Sequence, residues 1–135
     1  MHGARLAGAT VVEPGGPLPY ADSSFDLALS MDVIEHLPRP GPWLSEVVRV
    51  IRPGGELFLT TPDYGAFSLL PVLERTVLEA IARAQGFSRR GIHPTRFDRA
   101  SLATALRDAG LVDVRVDTIS LGWVLAARAR RPLTS

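Results

Sequence analysis

A strand–helix–strand pattern between residues 25 and 61 constrains the fold more than any other feature of the sequence. Phe25–Ser30 is apolar at almost every position after its Asp, as is typical of a central strand buried on both faces. Apolar residues then recur at helical spacing over Pro42–Arg52, and the run Pro53–Gly55 predicts the end of that helix. Glu56–Thr61 follows as a second strand. Because strands joined by a helical crossover run parallel, the sequence predicts an α/β fold with a mainly parallel sheet.

Two further helices and three further strands complete this prediction. The spacing of apolar residues predicts an amphipathic helix over Ser68–Gln85, with Gly86 as its C-terminal stop. Another helix is expected to begin after Asp98, its N-cap, and to run to Ala109. The strands are predicted at Ala9–Val12, over the alternating pattern Val112–Val116, and at Ser120–Arg128. The last two are expected to form an antiparallel hairpin at the C-terminal edge, which makes the sheet mixed.

The composition predicts one soluble domain. The chain has 135 residues, of which 46% are hydrophobic and 21% charged, values near the average for globular proteins. Its longest strongly apolar run, Ser120–Ala127, is far shorter than the roughly 20 residues that cross a bilayer, so we expect no transmembrane segment. The N-terminal residues lack the apolar run of a secretory signal, and the expected location is the cytoplasm.

The residue types that are missing exclude several kinds of chemistry. The chain has no cysteine, which excludes disulfides, thiolate metal sites and cysteine nucleophiles. All 15 basic residues are arginines, and without lysine neither a Schiff base nor a Walker-type phosphate site can form. The arginines are concentrated after residue 65, where they either attract an anionic ligand or lie on solvated helix faces. Because no run of them is interleaved with aromatic residues, we expect no nucleic acid partner.

Polar residues cluster where the two predicted parallel strands end. Met31–His36 follows the first strand and brings two carboxylates and an imidazole within a few positions, and Thr61–Asp63 follows the second strand. In open α/β sheets, ligands bind beyond the carboxyl ends of the strands. A cluster of Asp, Glu and His can move a proton or hold a divalent cation, and the same residues also serve at helix starts and turns. The residue types alone leave these three interpretations open.

Four ordered motifs lie along the chain: Leu18–Leu27, Asp32–Pro38, Glu46–Leu57 and Thr61-Pro62. They resemble those of class I S-adenosylmethionine-dependent methyltransferases of the ubiquinone-type group (methyltransferase type 11). A fifth segment, His93–Asp98, is similar to the histidine-containing segment that precedes the last helix of that family. The resemblance implies a single methyltransferase-like domain over residues 1–135, with residues 66–90 as a helical lid over the methyl acceptor.

The resemblance also implies a partial Rossmann-like methyltransferase fold. The family's sheet has the strand order 3-2-1-4-5-7-6. By resemblance, Ala9–Val12 is strand 3, Phe25–Ser30 strand 4 and Glu56–Thr61 strand 5, and the final hairpin forms strands 6 and 7. Strands 1 and 2 have no counterpart. The family's Gly-rich cofactor loop is missing with them, and the sequence contains no G-x-G pattern.

Six residues are assigned to a site by the same resemblance. Ser30, Met31 and Asp32 would line the methionine end of S-adenosylmethionine. The acceptor would face three candidate catalytic residues, Glu35, His36 and His93, and His36 is the natural base for a hydroxyl acceptor. Ubiquinone-type members carry a similar acid, two-residue gap and Glu-His pattern together with a divalent ion, which makes such an ion a further hypothesis for Asp32, Glu35 and His36.

The missing strands leave three hypotheses about function. The chain is an incomplete copy of a methyltransferase that acts on a small-molecule acceptor, with O-methylation as one option. Alternatively, it is a catalytically inactive interaction or regulatory module, whose apolar strand Phe25–Ser30 is an exposed edge that pairs with a partner chain or in a homodimer. In the third hypothesis, it is a small globular protein that binds an unrelated ligand.

Overall fold

The computed structural model describes residues 10–13, 15–65, 79–84 and 94–134 of the chain. Two short 3-10 turns, Ile34–His36 and Ser120–Gly122, occur in addition to helices and strands. The elements in chain order are β1 (Phe25–Met31), α1 (Pro40–Val50), β2 (Ile51–Pro62), α2 (Glu79–Ala84), α3 (Arg99–Asp108), β3 (Val112–Ile119) and β4 (Val124–Arg130).

The described strands form one mixed sheet in the order β1-β2-β4-β3. β1 pairs with β2 in parallel, with Leu27 opposite Glu56 and Met31 opposite Thr60. β4 is antiparallel to both β2 and β3. The parallel crossover and the C-terminal antiparallel pair are therefore confirmed. The order also matches strands 4-5-7-6 of the methyltransferase sheet.

One face of the sheet carries the core. Both α1 and α3 pack on it, because the alternate residues Leu57 and Leu59 of β2 and Leu125 and Ala127 of β4 point towards these helices. The helices contribute Leu44 and Val47 from α1 and Leu102 and Leu106 from α3. The opposite face carries the remaining alternate residues of the four strands.

Helix α3 begins at the N-cap that the sequence predicts. The backbone N–H of Ser101 donates to Asp98 Oδ1 at 2.8 Å, and the Asp98 N–H donates to Ser101 Oγ at 2.9 Å. This reciprocal pair is a capping box with serine as its second member. The Ser101 N–H also lowers the pKa of Asp98 below its ordinary value. The helix ends at Asp108, one residue before the predicted end, and is followed by Gly110 at φ +92°.

The junction between α1 and β2 differs from the prediction. The helix ends at Val50, not at Arg52, and β2 begins directly at Ile51. The run Pro53–Gly55 lies inside the strand, where the register is irregular: a step of two positions along β1, from Phe25 to Leu27, corresponds to a step of five along β2, from Ile51 to Glu56. Glycine is required here, because a Cβ on Gly55 would lie 2.8 Å from the carbonyl oxygen of Asp26. The prediction failed because local turn chemistry does not show which backbone packs against the glycine.

The segment before β1 is held on α1 by one arginine. The Arg49 guanidinium donates to Glu46 Oε2 at 2.7 Å, to Asp22 Oδ1 at 2.8 Å and to the Tyr20 carbonyl at 2.8 Å. The hydrogen bond from Arg49 is also the largest cause of the lowered pKa of Glu46. Glu46 in turn accepts the N–H of Leu18 at 2.8 Å. Leu18 and Tyr20 are thereby fixed beside β1.

Two predicted strands are placed differently in the structure. Residues 10–13 form no regular structure, and Val11 is exposed, so the strand at Ala9–Val12 is wrong for its described residues; Ala9 lies outside them. A strand needs a hydrogen-bonded neighbour, and no described strand pairs with this run. The last strand begins at Val124, not at Ser120, because Ser120 and Leu121 have positive φ and form a turn.

The predicted central position of the first strand is also wrong. In the described part of the chain, β1 pairs with β2 alone and is an edge strand. Its outward side chains are apolar and exposed, with Leu27 at 50%, Leu29 at 67% and Met31 at 58%. An exposed apolar edge is the expectation for a sheet in which strands 1 and 2 have no counterpart, and the described part of the sheet has such an edge.

Most of the predicted lid lies outside the described residues. Of the predicted helix Ser68–Gln85, residues Glu79–Ala84 are described and are helical. The assignment of residues 66–90 as a lid stays a prediction. Within the described ranges, no helix has both the length and the apolar character needed to span a membrane.

Candidate functional site

The carboxyl ends of the parallel strands β1 and β2 lie side by side, as the sequence predicts. The chain leaves β1 through Asp32, whose N–H donates to the carbonyl oxygen of Thr60 at 3.0 Å. It then enters the 3-10 turn Ile34–His36. The two polar clusters are therefore brought together at one edge of the sheet.

A buried carboxylate lies behind an exposed imidazole at this edge. The side chain of Glu35 is 2% exposed, and its Oε2 accepts a hydrogen bond from Thr61 Oγ1 at 3.0 Å. Its Oε1 lies 3.6 Å from Nε2 of His36, whose side chain is 48% exposed. At this distance Glu35 attracts a protonated imidazole by charge, beyond the range of a hydrogen bond. Glu35 is thus held by the next strand, with its carboxylate beside a ring that a ligand can reach.

Asp32 has a different environment from Glu35. It is exposed, adopts φ +54°, and accepts a hydrogen bond from Thr60 Oγ1 at 3.2 Å. Asp tolerates this left-handed conformation better than most residues do. The Asp32 carboxylate is therefore exposed at the carboxyl end of β1, where a ligand above the strand can contact it.

The three predicted cofactor contacts do not face one pocket. Ser30 lies in the groove between β1 and α1, and Met31 lies on the opposite face of β1. The Ser30 Oγ is buried and has no hydrogen-bond partner in the described part of the chain. A buried polar atom of this kind fits a polar group of a ligand or partner. Ser30 and Met31 end β1 and Asp32 follows it, and the role of all three as contacts to the methionine end of a cofactor stays a prediction.

A short segment crosses the ends of both strands. The Thr95 N–H donates to the Glu35 carbonyl at 3.2 Å, and the Thr95 hydroxyl donates to the Leu37 carbonyl. Two residues later, Phe97 forms a bridge with Asp63, and its carbonyl accepts the Tyr64 N–H at 2.9 Å. Residues 95–97 therefore fix the turn after β1 to the end of β2. His93 lies outside the described residues, and its role stays a prediction.

Two polar residues at this edge have structural roles that the sequence did not predict. In the sequence, Thr61 and Asp63 follow the second predicted strand, a position that turn chemistry explains equally well. In the structure Thr61 is fully buried and positions Glu35. Asp63 is buried and accepts the Gly65 N–H at 2.8 Å and the Thr118 hydroxyl at 3.0 Å. The only sequence signal for Thr61 is its position as a polar residue at the end of an apolar strand.

The geometry does not favour the divalent ion. Asp32 is bound to Thr60, whereas the Glu35 carboxylate is bound to Thr61 one residue further along β2. Among the described residues, no group of three or more His, Asp or Glu side chains is arranged to hold a metal ion. No step of the chemistry is therefore assigned to a metal.

Comparison with known proteins identifies the family. A family model described as a methyltransferase domain matches residues 3–59. A curated relative, an uncharacterized methyltransferase of Mycolicibacterium paratuberculosis, is 34% identical over 124 residues, which cover 91% of this chain. The chain belongs to the class I S-adenosylmethionine-dependent methyltransferases. It spans 48% of the length of that methyltransferase, which is about half.

Solved methyltransferases share the fold. A possible histamine N-methyltransferase of Thermotoga maritima superimposes with a TM-score of 0.66 at 21% identity, over 87% of this chain and 61% of that chain. Phosphoethanolamine N-methyltransferase 2 of Haemonchus contortus, solved with S-adenosylmethionine, gives a TM-score of 0.62 at 14% identity. That match covers 84% of this chain and 34% of the other. At these identities the likeness supports the methyltransferase fold.

Proposed function

We propose that this chain forms the acceptor side of a methyltransferase that transfers the methyl group of S-adenosylmethionine to a hydroxyl group of a small molecule. The observation that carries the proposal is the pair of Glu35 and His36 at the carboxyl edge of the sheet. A hydroxyl acceptor must lose a proton as it attacks, and an exposed imidazole backed by a buried carboxylate is suited to take that proton. The cytoplasm is the proposed location, on the grounds of the sequence.

The residues of this chain have separate roles in the proposed reaction. When bound, S-adenosylmethionine supplies a methyl carbon on a positively charged sulfur. His36 accepts the proton that the acceptor hydroxyl loses as its oxygen bonds to that carbon and the carbon–sulfur bond breaks. Glu35 stabilises the imidazolium that results, and Thr61 keeps Glu35 in place. Asp32, with Ser30 and Met31 beside it, is the proposed contact to the methionine end of the cofactor.

The first experiment is a calorimetric titration of the folded chain with S-adenosylhomocysteine, the reaction product. We expect saturable binding at one site per chain, weakened at least tenfold by Asp32→Ala. The control is Asp117→Ala, which removes an exposed carboxylate from β3. A folded sample that shows no binding up to millimolar ligand would contradict cofactor binding by this chain.

The second experiment tests the base. Transfer of a radiolabelled methyl group is measured against a panel of phenols and alcohols, with amines of similar shape as a comparison. For a hydroxyl acceptor, His36→Ala should lower turnover by about 10²-fold or more, because general base catalysis contributes about that much. Its affinity for S-adenosylhomocysteine should stay within about twofold of the unchanged protein. Unchanged turnover would remove His36 from the mechanism.

A second candidate function is that of an inactive methyltransferase-like interaction module. The exposed apolar edge of β1 favours it, since such an edge pairs readily with another strand. A stable complex formed by a chain that has no affinity for S-adenosylhomocysteine would favour this function over catalysis.

A further inference from the structure

Arg96 lies in the segment that crosses the carboxyl ends of β1 and β2, between two residues whose positions are fixed. On one side, the Thr95 N–H donates to the Glu35 carbonyl at 3.2 Å. On the other side, Phe97 is buried, and its carbonyl accepts the Tyr64 N–H at 2.9 Å. The backbone of Arg96 is therefore held at the edge where ligands bind in open α/β sheets.

The Arg96 side chain is exposed and is oriented by an aromatic ring. Its guanidinium carbon, Cζ, lies 4.9 Å from the centroid of the Tyr64 ring. At this distance the positive charge is attracted to the electron-rich face of the ring. A guanidinium donates its hydrogen bonds in its own plane, so this attraction does not use the N–H donors. Tyr64 therefore holds the arginine and leaves its donors available to a ligand.

The carboxylates of neighbouring elements do not neutralise Arg96. Glu35 accepts a hydrogen bond from Thr61, Asp63 accepts two hydrogen bonds, and Asp98 caps α3. Each of these three carboxylates is thus engaged by a donor other than Arg96. Among the described residues, the Arg96 guanidinium forms no ion pair and donates no hydrogen bond to a side chain. Its positive charge is therefore presented to solvent at the edge of the sheet.

We propose that Arg96 binds an oxyanion group of the methyl acceptor, a carboxylate or a phosphate, so that the acceptor is a hydroxylated acid. The planar fork of a guanidinium fits both groups through two parallel hydrogen bonds. The inference rests on the proposed function, because it adds a contact to the same acceptor. It narrows the acceptor class from hydroxylated small molecules to acidic ones.

Glu35 places Arg96 and the proposed base on the same edge. Its carbonyl accepts the N–H of Thr95, the residue before Arg96, and its Oε1 lies 3.6 Å from Nε2 of His36. One small molecule can therefore contact both residues, with its acidic group on Arg96 and its hydroxyl at His36. Tyr64 is a positioning residue in this arrangement, because it orders the long arginine side chain before the acceptor binds.

The test compares four probes of similar shape by nuclear magnetic resonance titration of the labelled chain. Two are acids, 4-hydroxybenzoate and 4-hydroxyphenyl phosphate; one is neutral, methyl 4-hydroxybenzoate; and one is an ammonium, tyramine. We expect the acids to bind about tenfold or more tighter than the ester, because charge-assisted bidentate hydrogen bonds are strong. The ammonium should bind no better than the ester. Titration with an acid should shift the Nε–H resonance of Arg96.

Matched arginine substitutions locate the contact. Arg96→Gln should reduce the affinity for the acids to about that for the ester. Arg99→Gln removes the same charge from an exposed residue at the start of α3 and should leave the affinity within about twofold. Arg96→Lys should give an intermediate affinity, because it keeps the charge and loses the planar fork.

Two substitutions of Tyr64 separate positioning from folding. Tyr64→Phe keeps the ring face and should leave the preference for acids over the ester unchanged within about twofold. Tyr64→Leu removes the ring and should lower that preference. Circular dichroism shows whether each variant folds. If Tyr64→Leu does not fold, the test rests on the substitutions of the exposed Arg96.

Five outcomes would overturn the proposal: no saturable binding of either acid, equal binding of acids and ester, tightest binding of the ammonium, equal losses in the Arg96 and Arg99 variants, or weaker binding of S-adenosylhomocysteine to Arg96→Gln. The last would assign the arginine to the cofactor. Binding of the acids through Arg96 without methyl transfer supports the anion site and counts against the proposed function. Methyl transfer to phenols without a preference for acids does the reverse.

Discussion

The two edges of the sheet differ in how they meet solvent. β3 alternates valine with charged residues, so that one face packs on the core and the other is solvated. Its edge is interrupted by a bulge at Asp113, which has φ +51°. The outer face beside it carries Arg128 and Arg130, which bind Glu56 and lower its pKa. Between Leu27 and Met31, β1 does not alternate apolar with charged residues and has no charged side chain on its outer face.

The sequence of β3 has features that protect an exposed edge strand from pairing, and the sequence of β1 lacks them. Charges and bulges on an edge strand prevent unwanted pairing, and β3 has both. The composition of β1 is that of an interior strand, yet it lies at the edge of the described sheet. Among the described strands, β3 therefore has the features of a protected edge, whereas β1 lacks them.

The largest expected effect tests the core beneath β3. Leu106→Ala removes a fully buried side chain of α3, and we expect the free energy of unfolding to fall by about 2–5 kcal/mol. Urea denaturation followed by circular dichroism measures the change. A loss below about 1 kcal/mol would show that α3 does not pack closely on the sheet.

The next effect tests the one attachment that β1 has among the described strands. Gly55→Ala should destabilise the protein by about 1–3 kcal/mol, because the new Cβ meets the backbone carbonyl of Asp26 in β1. Gly41→Ala in α1 is the control, since a Cβ there meets nothing within 4 Å. Equal stabilities of the two variants would contradict the close approach of β1 and β2.

A smaller effect tests the cap of the helix that covers β3. Asp98→Ala should cost about 1 kcal/mol at pH 7, because the Ser101 N–H loses its acceptor. The pKa of Asp98 is lowered in the folded state, so its stabilisation is present above the ordinary carboxylate pKa and is lost as pH falls through the folded value. The stability difference from the alanine variant should therefore shrink below about pH 4.

Asp98→Asn is the control for this pH dependence, because its side-chain oxygen still accepts the Ser101 N–H but does not titrate. Denaturation curves of the three proteins between neutral and acid pH provide the comparison. A constant difference between the aspartate and alanine forms over that range would contradict the ionised cap.

The smallest effect sharpens the comparison of the edges directly. Leu29→Ala should change the free energy of unfolding of this chain by less than about 0.5 kcal/mol, because two thirds of the side chain is already in water. A loss above about 2 kcal/mol in the chain alone would show that β1 is covered without a partner.

Local patterns in the sequence predicted the elements that local chemistry controls. The crossover from β1 to β2 follows from apolar periodicity, and the start of α3 follows from Asp98 and its hydrogen bond with Ser101. The motifs at Asp32–Pro38 and Glu46–Leu57 were sufficient to identify the family. They also placed Glu35 and His36 at the end of a strand, where the structure has them.

The wrong predictions concern segments whose structure depends on contacts between residues that are far apart in the sequence. Pro53–Gly55 predicts the end of the preceding helix because proline and glycine end helices, but the run is part of β2 and packs on β1. The segment Ala9–Val12 has strand-forming residues, but its described residues have no described strand beside them to pair with.

The α/β class, the family, and the polar residues that follow β1 and β2 can be predicted from the sequence, because periodicity, caps and motifs are properties of neighbouring residues. Only the tertiary structure shows that Glu35 is buried against Thr61 with its Oε1 3.6 Å from His36 Nε2, and that β1 is an edge strand of the described sheet. Burial and strand pairing depend on residues that are far apart in the chain. Burial and pairing are therefore determined only in the folded sheet.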